Sequence, residues 1–240
     1  MSRDEWIRIA GWSGIAGAGL LILGDLLIGG WRPVSGGVLV DLDLEGLMRA
    51  TYRVDSAGHR LAHLVGALLG PIAAILYAVG TIQMWCALRP AGRGLAGFVC
   101  GAFVLGLMVG GGGFHVAFAF LPVGLLAEQA GATGPEVWEY LGDVLDAISA
   151  TSGIPLLLGS IGFAFAVVRR DTMYPYWMVA LTPMLLIVTR PLAGWIPAPV
   201  GGPIFVAHFN LCWLVFFVVS TRVLSRGDER SIPARSGRGG

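Results

Sequence analysis

The sequence predicts an all-α integral membrane bundle of six transmembrane helices with both termini cytoplasmic. Three observations carry that expectation. The chain is 55% hydrophobic and only 13% charged, with a mean hydropathy of +0.75, a composition outside the ordinary soluble class. Six apolar stretches of about 20 residues can be drawn along it, each long enough to cross a bilayer. The alternation of lipid-facing barrel strands is absent, and helices satisfy every backbone group within their own segment.

The first span, residues 8–30, follows a charged start, Met1 to Arg8. Its apolar run is too long for a signal peptide and lacks a small-residue cleavage site, so it is expected to remain in place. Residues 41–56 follow, with Leu44, Leu47, Met48 and Tyr52 forming a weak amphipathic pattern after Asp43. The second span, 60–86, contains Pro71. The third, 95–121, contains Gly97-x-x-x-Gly101, Gly106-x-x-x-Gly110 and the run Gly110 to Gly113. One flank of it is nearly bare of side chains, so neighbouring helices can approach closely; these glycines are also expected to loosen the helix and make room for a ligand beside His115. In the next connection, Thr133-Gly-Pro-Glu136 resembles a capping box, followed by Val137, Tyr140, Leu141, Val144 and Leu145 at helical spacing, which predicts an amphipathic helix over 134–146. Both outer connections are expected to lie on the membrane surface, as lids or as interfacial anchors. Spans four to six fall at 147–168, with Pro155, at 175–196, with Pro183, and at 203–224. Residues 1–225 thus form one domain, and the Arg-, Ser- and Gly-rich tail 226–240, without apolar periodicity, is expected to be disordered.

Orientation follows from the basic residues, all of which are Arg. Arg3 and Arg8, Arg89 and Arg93, Arg169 and Arg170, and the cluster from Arg222 to Arg238 mark alternate connections as cytoplasmic. The 122–146 connection has no Arg and carries Glu128, Glu136, Glu139, Asp143 and Asp146, which places it outside. The first connection, with Arg32, Arg49, Arg53 and Arg60, dissents from this pattern. Trp6, Trp31, Trp85, Tyr176, Trp177 and Trp195 near span ends fit interfacial belts.

Several function classes are excluded. The arginines are scattered between apolar segments, which excludes a nucleic-acid surface. There is no phosphate-cradling loop with Lys, no nucleophile elbow and no dinucleotide fingerprint. Cys86, Cys100 and Cys212 share no metal-ligand spacing and read as small core residues.

The polar residues inside the spans are the candidates for function, because ionisable groups are costly there. Counting at about 1.5 Å per residue puts Asp25, His63, His115, Arg190 and His208 within about 5–9 Å of the outer boundary. Thr151 and Ser152 fall at a similar level, so every span contributes a polar group to one layer. Asp25, His63, His115 and His208 are the candidate acid/base groups; Arg190, Asn210, Thr151 and Ser152 are candidate substrate contacts. His59 and His63, four apart on one helix face, with His115, His208 and Asp25 would supply the three or four ligands that zinc prefers. A neutral imidazole bonded to a carbonyl is the structural alternative for each histidine. An Asp25–Arg190 ion pair is expected across the bundle, and Asn210, on a different face from His208, as an interhelical hydrogen bonder.

Gly111-Gly-Gly-Phe-His115-Val-Ala-Phe-Ala-Phe, Leu88-Arg-Pro-Ala-Gly-Arg93, Tyr174-Pro-Tyr-Trp177, and Ile196-Pro-Ala-Pro leading to Phe209-Asn-Leu resemble an uncharacterised bacterial family of small multi-pass membrane proteins. The resemblance covers most of the chain and implies a compact helical membrane domain of the bacterial plasma membrane, with no established activity, cofactor or catalytic residue. From the residues themselves, the expected function is an intramembrane enzyme acting on a lipid, isoprenoid or other apolar substrate, by acid/base chemistry or with zinc. The alternative is a small transporter or channel using the same layer as a proton or solute relay. Membrane lipids and an apolar small molecule are the expected partners.

Overall fold

A computed structural model describes residues 3–29, 57–132, 134, 136–169, 172–193, 195–197 and 200–227. The weak amphipathic pattern at 41–56, Thr133 and Pro135 of the capping box, and the tail from 228 onward lie outside the described residues. Within them the chain is helical. Helix α1 (Arg3–Gly29) is followed by α2 (Ala57–Leu88), α3 (Arg93–Leu107) and, after a π-helical segment at Met108–Phe114, α4 (His115–Phe118) and α5 (Leu121–Gln129). Helix α6 (Glu136–Val168), the short helices α7 (Pro183–Leu186), α8 (Arg190–Ala193) and α9 (Gly201–Val206), and α10 (His208–Gly227) complete the order.

Five helical stretches among the described residues are long and apolar enough to cross a membrane: Glu5–Gly29, Gly58–Ala91, Arg93–Gln129, Glu136–Val168 and His208–Ser225. Their outward faces carry large apolar side chains such as Trp12, Leu61, Leu68, Ile75, Ile154 and Ile161, as helices facing lipid would. Pro71 and Pro155 are carried inside continuous helices. The fifth expected span, 175–196, is not one helix. Thr182 is extended (φ −58°, ψ 129°) ahead of Pro183, the conformation that proline imposes on its predecessor. On either side the backbone tightens into 3-10 turns at Tyr176–Leu181 and Ile187–Thr189.

The amphipathic helix expected at 134–146 is likewise not separate, because it continues into the fourth span as the 33-residue α6. At 1.5 Å per residue this is about 50 Å, well beyond a hydrocarbon core of about 30 Å. Its N-terminal end pairs with α5 through a turn at Gly131, whose φ of 68° suits glycine. Leu121, Leu125, Trp138 and Leu145 bury a small core between them, closed by Trp138 Nε1 donating to Glu128 Oε2 at 3.2 Å.

The main core is aromatic. Trp213 is fully buried, edge-on to Phe103 at 5.2 Å and tilted against Phe217 at 5.7 Å; Tyr77 stacks on Phe217 at 5.6 Å. Helices α1 and α2 pack most extensively on one another. Of the third-span glycine pairs, Gly106 and Gly110 meet Leu156 and Ser152 of α6, whereas Gly101 faces open space. Cys100 and Cys212 are buried and Cys86 partly so, all as free thiols.

A hydrogen-bonded proton pair at the crossing of the first three spans

The π-helical segment decides where His115 points. Gly110 to Gly113 fall inside it, and a run of residues without Cβ lets the helix widen into i→i+5 bonding, a distortion that recurs at functional sites. Gly111 and Gly112 are buried against Leu21 on one side and Ala74 and Pro71 on another. The glycines therefore do loosen the helix, but they serve to seat it between α1 and α2.

His115 follows at once and turns into that crossing. Its imidazole lies on bare backbone: a Cβ on Gly24 would stand 2.8 Å from His115 Cε1, and one on Gly70 only 2.7 Å from Gly111 O and closer still to His115 Cβ. Two contacts hold the ring. Nδ1 is 3.2 Å from the Gly66 carbonyl, and Nε2 is 3.2 Å from Asp25 Oδ1. The other carboxylate oxygen, Oδ2, accepts from Asn210 Nδ2 at 2.7 Å, and Asn210 Oδ1 accepts from the Tyr77 hydroxyl at 3.2 Å. The side chain of His115 is 6% exposed and that of Asp25 17%; Asn210 and Tyr77 are buried.

The hydrogens in this chain can be counted. A carbonyl only accepts, so the Gly66 contact places a hydrogen on Nδ1. A hydrogen bond between Nε2 and Oδ1 then requires one proton there, either on nitrogen as imidazolium against carboxylate or on oxygen as carboxyl against neutral imidazole. In both forms the pair is electrically neutral overall, which lowers the cost of placing it in a low-dielectric region. Asn210 has its orientation fixed from both ends, since only its NH₂ can donate to Asp25 and only its oxygen can accept from Tyr77.

His63 lies alongside, buried, with Nε2 2.7 Å from the Phe118 carbonyl. Phe118 is three residues beyond His115 on the same turn, so both histidines tie that turn to α2's side of the bundle.

The model of one protein family, described as a family of unknown function (DUF6796), matches residues 3–226. The chain belongs to this family. Comparison with curated proteins and with solved structures gave no match.

In this DUF6796 member the remaining expected site residues separate from the pair. His208 Nε2 lies 3.1 Å from Thr189 Oγ1 and 3.3 Å from the Leu186 carbonyl. That carbonyl also accepts from the Thr189 hydroxyl at 2.7 Å, so His208 and Thr189 meet at one backbone oxygen of the broken segment. Arg190 is exposed, its guanidinium 4.2 Å over the Phe205 ring. It lies within electrostatic range of Asp25, but the expected ion pair is not formed: His115 and Asn210 occupy the carboxylate oxygens. Thr151 is exposed on the outer face of α6, and Ser152 is buried against Gly110 with its hydroxyl turned back to the Ser149 carbonyl. The His59 side chain is exposed while His63 one turn on is buried.

These positions bear on zinc. Among the described residues no group of three or more His, Cys, Asp or Glu side chains is placed to hold a metal ion. The donors expected for one are divided: His115 and Asp25 hold each other, His63 holds a carbonyl, and His208 caps a broken helix. Among the described residues these donors do not fit a zinc centre.

Sequence reasoning overlooked Tyr77 and the glycines that make the cradle, Gly24, Gly66 and Gly70. A signal existed. His63, Gly66, Gly70, Ala73 and Tyr77 recur at alternating spacings of three and four residues, one stripe of α2 that faces α1.

Proposed function

We propose that this chain is a membrane-embedded acid/base enzyme acting on a lipid, isoprenoid or other apolar substrate, with His115 and Asp25 moving the proton. One observation carries the reading: His115 Nε2 lies 3.2 Å from Asp25 Oδ1 while its Nδ1 lies 3.2 Å from the Gly66 carbonyl. Giving its proton to the substrate at one atom while taking one from it at another, such a pair would return to the same charge, which is the exchange that isomerisation of an apolar molecule requires. Asn210 and Tyr77 would hold the carboxylate in place through the exchange. The polar chain is one-ended. Beyond Tyr77 lies the aromatic layer of Trp213, Phe216 and Phe217, and this favours a site served from one side over a path through the bundle. In this reading the chain crosses a bacterial plasma membrane six times with both termini cytoplasmic, the broken 176–193 segment and its neighbours supplying the fifth crossing.

That same segment favours a second reading. Discontinuous helices with side chains on their freed carbonyls are a transporter device, and His208 on Leu186 O is such a contact. In that case the polar layer would relay protons or a solute.

The substitution Asp25→Asn distinguishes the two readings, because it preserves both contacts: the new amide oxygen accepts from Asn210 and the new NH₂ donates to His115 Nε2. The transferable proton is lost while the geometry stays. Wild type and Asp25→Asn, reconstituted with a total lipid extract in heavy water, are compared by mass spectrometry for deuterium entering lipid carbon positions. Label or a new product with wild type and none with Asp25→Asn supports the enzyme. Proton flux across the vesicles with no labelled product would move the account to transport.

A further inference from the structure

We propose that the groove between the Gly113–Leu121 turn and the Tyr140–Ile148 stretch of α6 holds one acyl chain of an aminophospholipid, whose ammonium group meets the carboxylates at the groove's outer end. The groove encloses about 470 Å³, within the range of about 300–1,000 Å³ usual for small-molecule sites. Gly113, Val116, Phe120, Tyr140, Val144 and Ile148 line it, and no lining side chain except Tyr140 carries a polar atom.

Both walls are held from behind. His115 and Phe118 fasten the turn to Asp25, Gly66 and His63 on its far side. The Trp138–Glu128 bond and the Leu121, Leu125 and Leu145 core fasten α6 to α5. A small rotation therefore cannot close the groove, and Phe120 and Tyr140 at its edges are exposed. An unfilled groove forfeits the dispersion contacts of its lining. It lies on two helical stretches apolar enough to cross a membrane, where the apolar run of α6 gives way to carboxylates, and an acyl chain is the occupant of matching chemistry.

Apolar matching alone does not retain one lipid over another, because the bilayer interior is as apolar as the groove. The headgroup has to discriminate. Glu136 stands one turn before Tyr140 on the same face of α6, Asp143 nearly one turn after it, and Glu139 beside it, all exposed. No Arg or Lys occurs between Arg93 and Arg169, so the charged side chains on the α6 wall are all acidic. Glu136 and Glu139 are partly neutralised by the positive end of the helix dipole in the first turn; Asp143 lies beyond its reach, which makes it the carboxylate that selects the headgroup. An ethanolamine ammonium is attracted there and an anionic phosphoglycerol repelled. The groove is separate from the proton pair, since His115 projects from the opposite side of the turn toward α1 and α2.

The full chain released from bilayers of equal phosphatidylethanolamine and phosphatidylglycerol, and weighed by native mass spectrometry, tests this. Wild type should retain phosphatidylethanolamine several-fold over phosphatidylglycerol. Ala117→Phe, which fills the groove, should lose the lipid, and Asp143→Asn should keep a lipid but bring the two kinds to near parity. Val144→Phe fills the opposite wall should Ala117→Phe fail to fold. Equal retention of both lipids by wild type, retention that survives groove filling, or a protein dimer in place of lipid would each overturn the proposal.

Discussion

Replacing Gly70 with alanine strikes the cradle of the proton pair without touching an ionisable group. The new Cβ would lie 2.7 Å from the Gly111 carbonyl oxygen and still closer to His115 Cβ, against an ordinary contact of 3.4 Å or more. Backbone lies behind both atoms, so α2 and the π-helical segment must separate by several tenths of an ångström or more. A displacement of that size carries the two 3.2 Å imidazole contacts toward the limit of hydrogen-bond range. Overpacking of this kind costs about 1–3 kcal/mol, and weakening two buried interhelical hydrogen bonds adds about 0.6 kcal/mol each. The sum is about 2–4 kcal/mol. Gly19 is the matched control: it lies in α1 with nothing within 4 Å of a Cβ built on it, so Gly19→Ala should be neutral or stabilise by up to about 1 kcal/mol through helix propensity. Reversible denaturation of both variants in mixed micelles measures the difference. Equal stability of Gly70→Ala and Gly19→Ala would refute the claim that His115 is seated on bare backbone.

Other consequences follow from the same contacts. Asn210→Leu should destabilise by about 1–3 kcal/mol, because it strands Tyr77 and one oxygen of Asp25; a double-mutant cycle with Tyr77→Phe should recover part of that loss, and strict additivity would argue against the chain of bonds. Gln83 is fully buried with Nε2 lacking a hydrogen-bond partner among the described residues, while Thr221 also has the Phe217 carbonyl. Gln83→Met should therefore raise the denaturation midpoint, with a gain of about 1–3 kcal/mol, and a lowered midpoint would mean that the amide is satisfied. Trp138→Phe keeps the apolar body but removes the bond to Glu128, and should cost about 0.5–1.5 kcal/mol with faster proteolysis at the Gly131 turn. Chelation should leave the melting temperature of the purified protein unchanged; a clear drop would reinstate a metal.

Much of this architecture is legible in the sequence because lipid imposes one rule on every segment. Five of the expected spans correspond to long apolar helices, and the glycines of the third span do distort it. The fifth span was obscured by that same rule: hydropathy registers apolar length and is blind to the extended residue that Pro183 forces on Thr182. The helix from Glu136 was divided because its amphipathic beginning and apolar continuation look like different elements, although nothing between them stops a helix. For the site, depth counting put Asp25, His63, His115, Arg190 and His208 in one layer but could not say which groups touch. Rotation about each helix axis decides that. It turns His208 to a broken backbone and Arg190 onto Phe205, and it brings in Tyr77, which carries no charge to attract notice.

In the proposed site His115 and Asp25 share one proton, with the second imidazole hydrogen held on Nδ1 by Gly66. Nitrogen-15 magnetic resonance of histidine-labelled protein in lipid, with His115 assigned by its absence in His115→Gln, reads both ring nitrogens directly. A protonated Nδ1 is expected in wild type and in Asp25→Asn alike, with Nε2 of Asp25→Asn bare and accepting a hydrogen bond. A bare Nδ1, or a protonated Nε2 in Asp25→Asn, would contradict this.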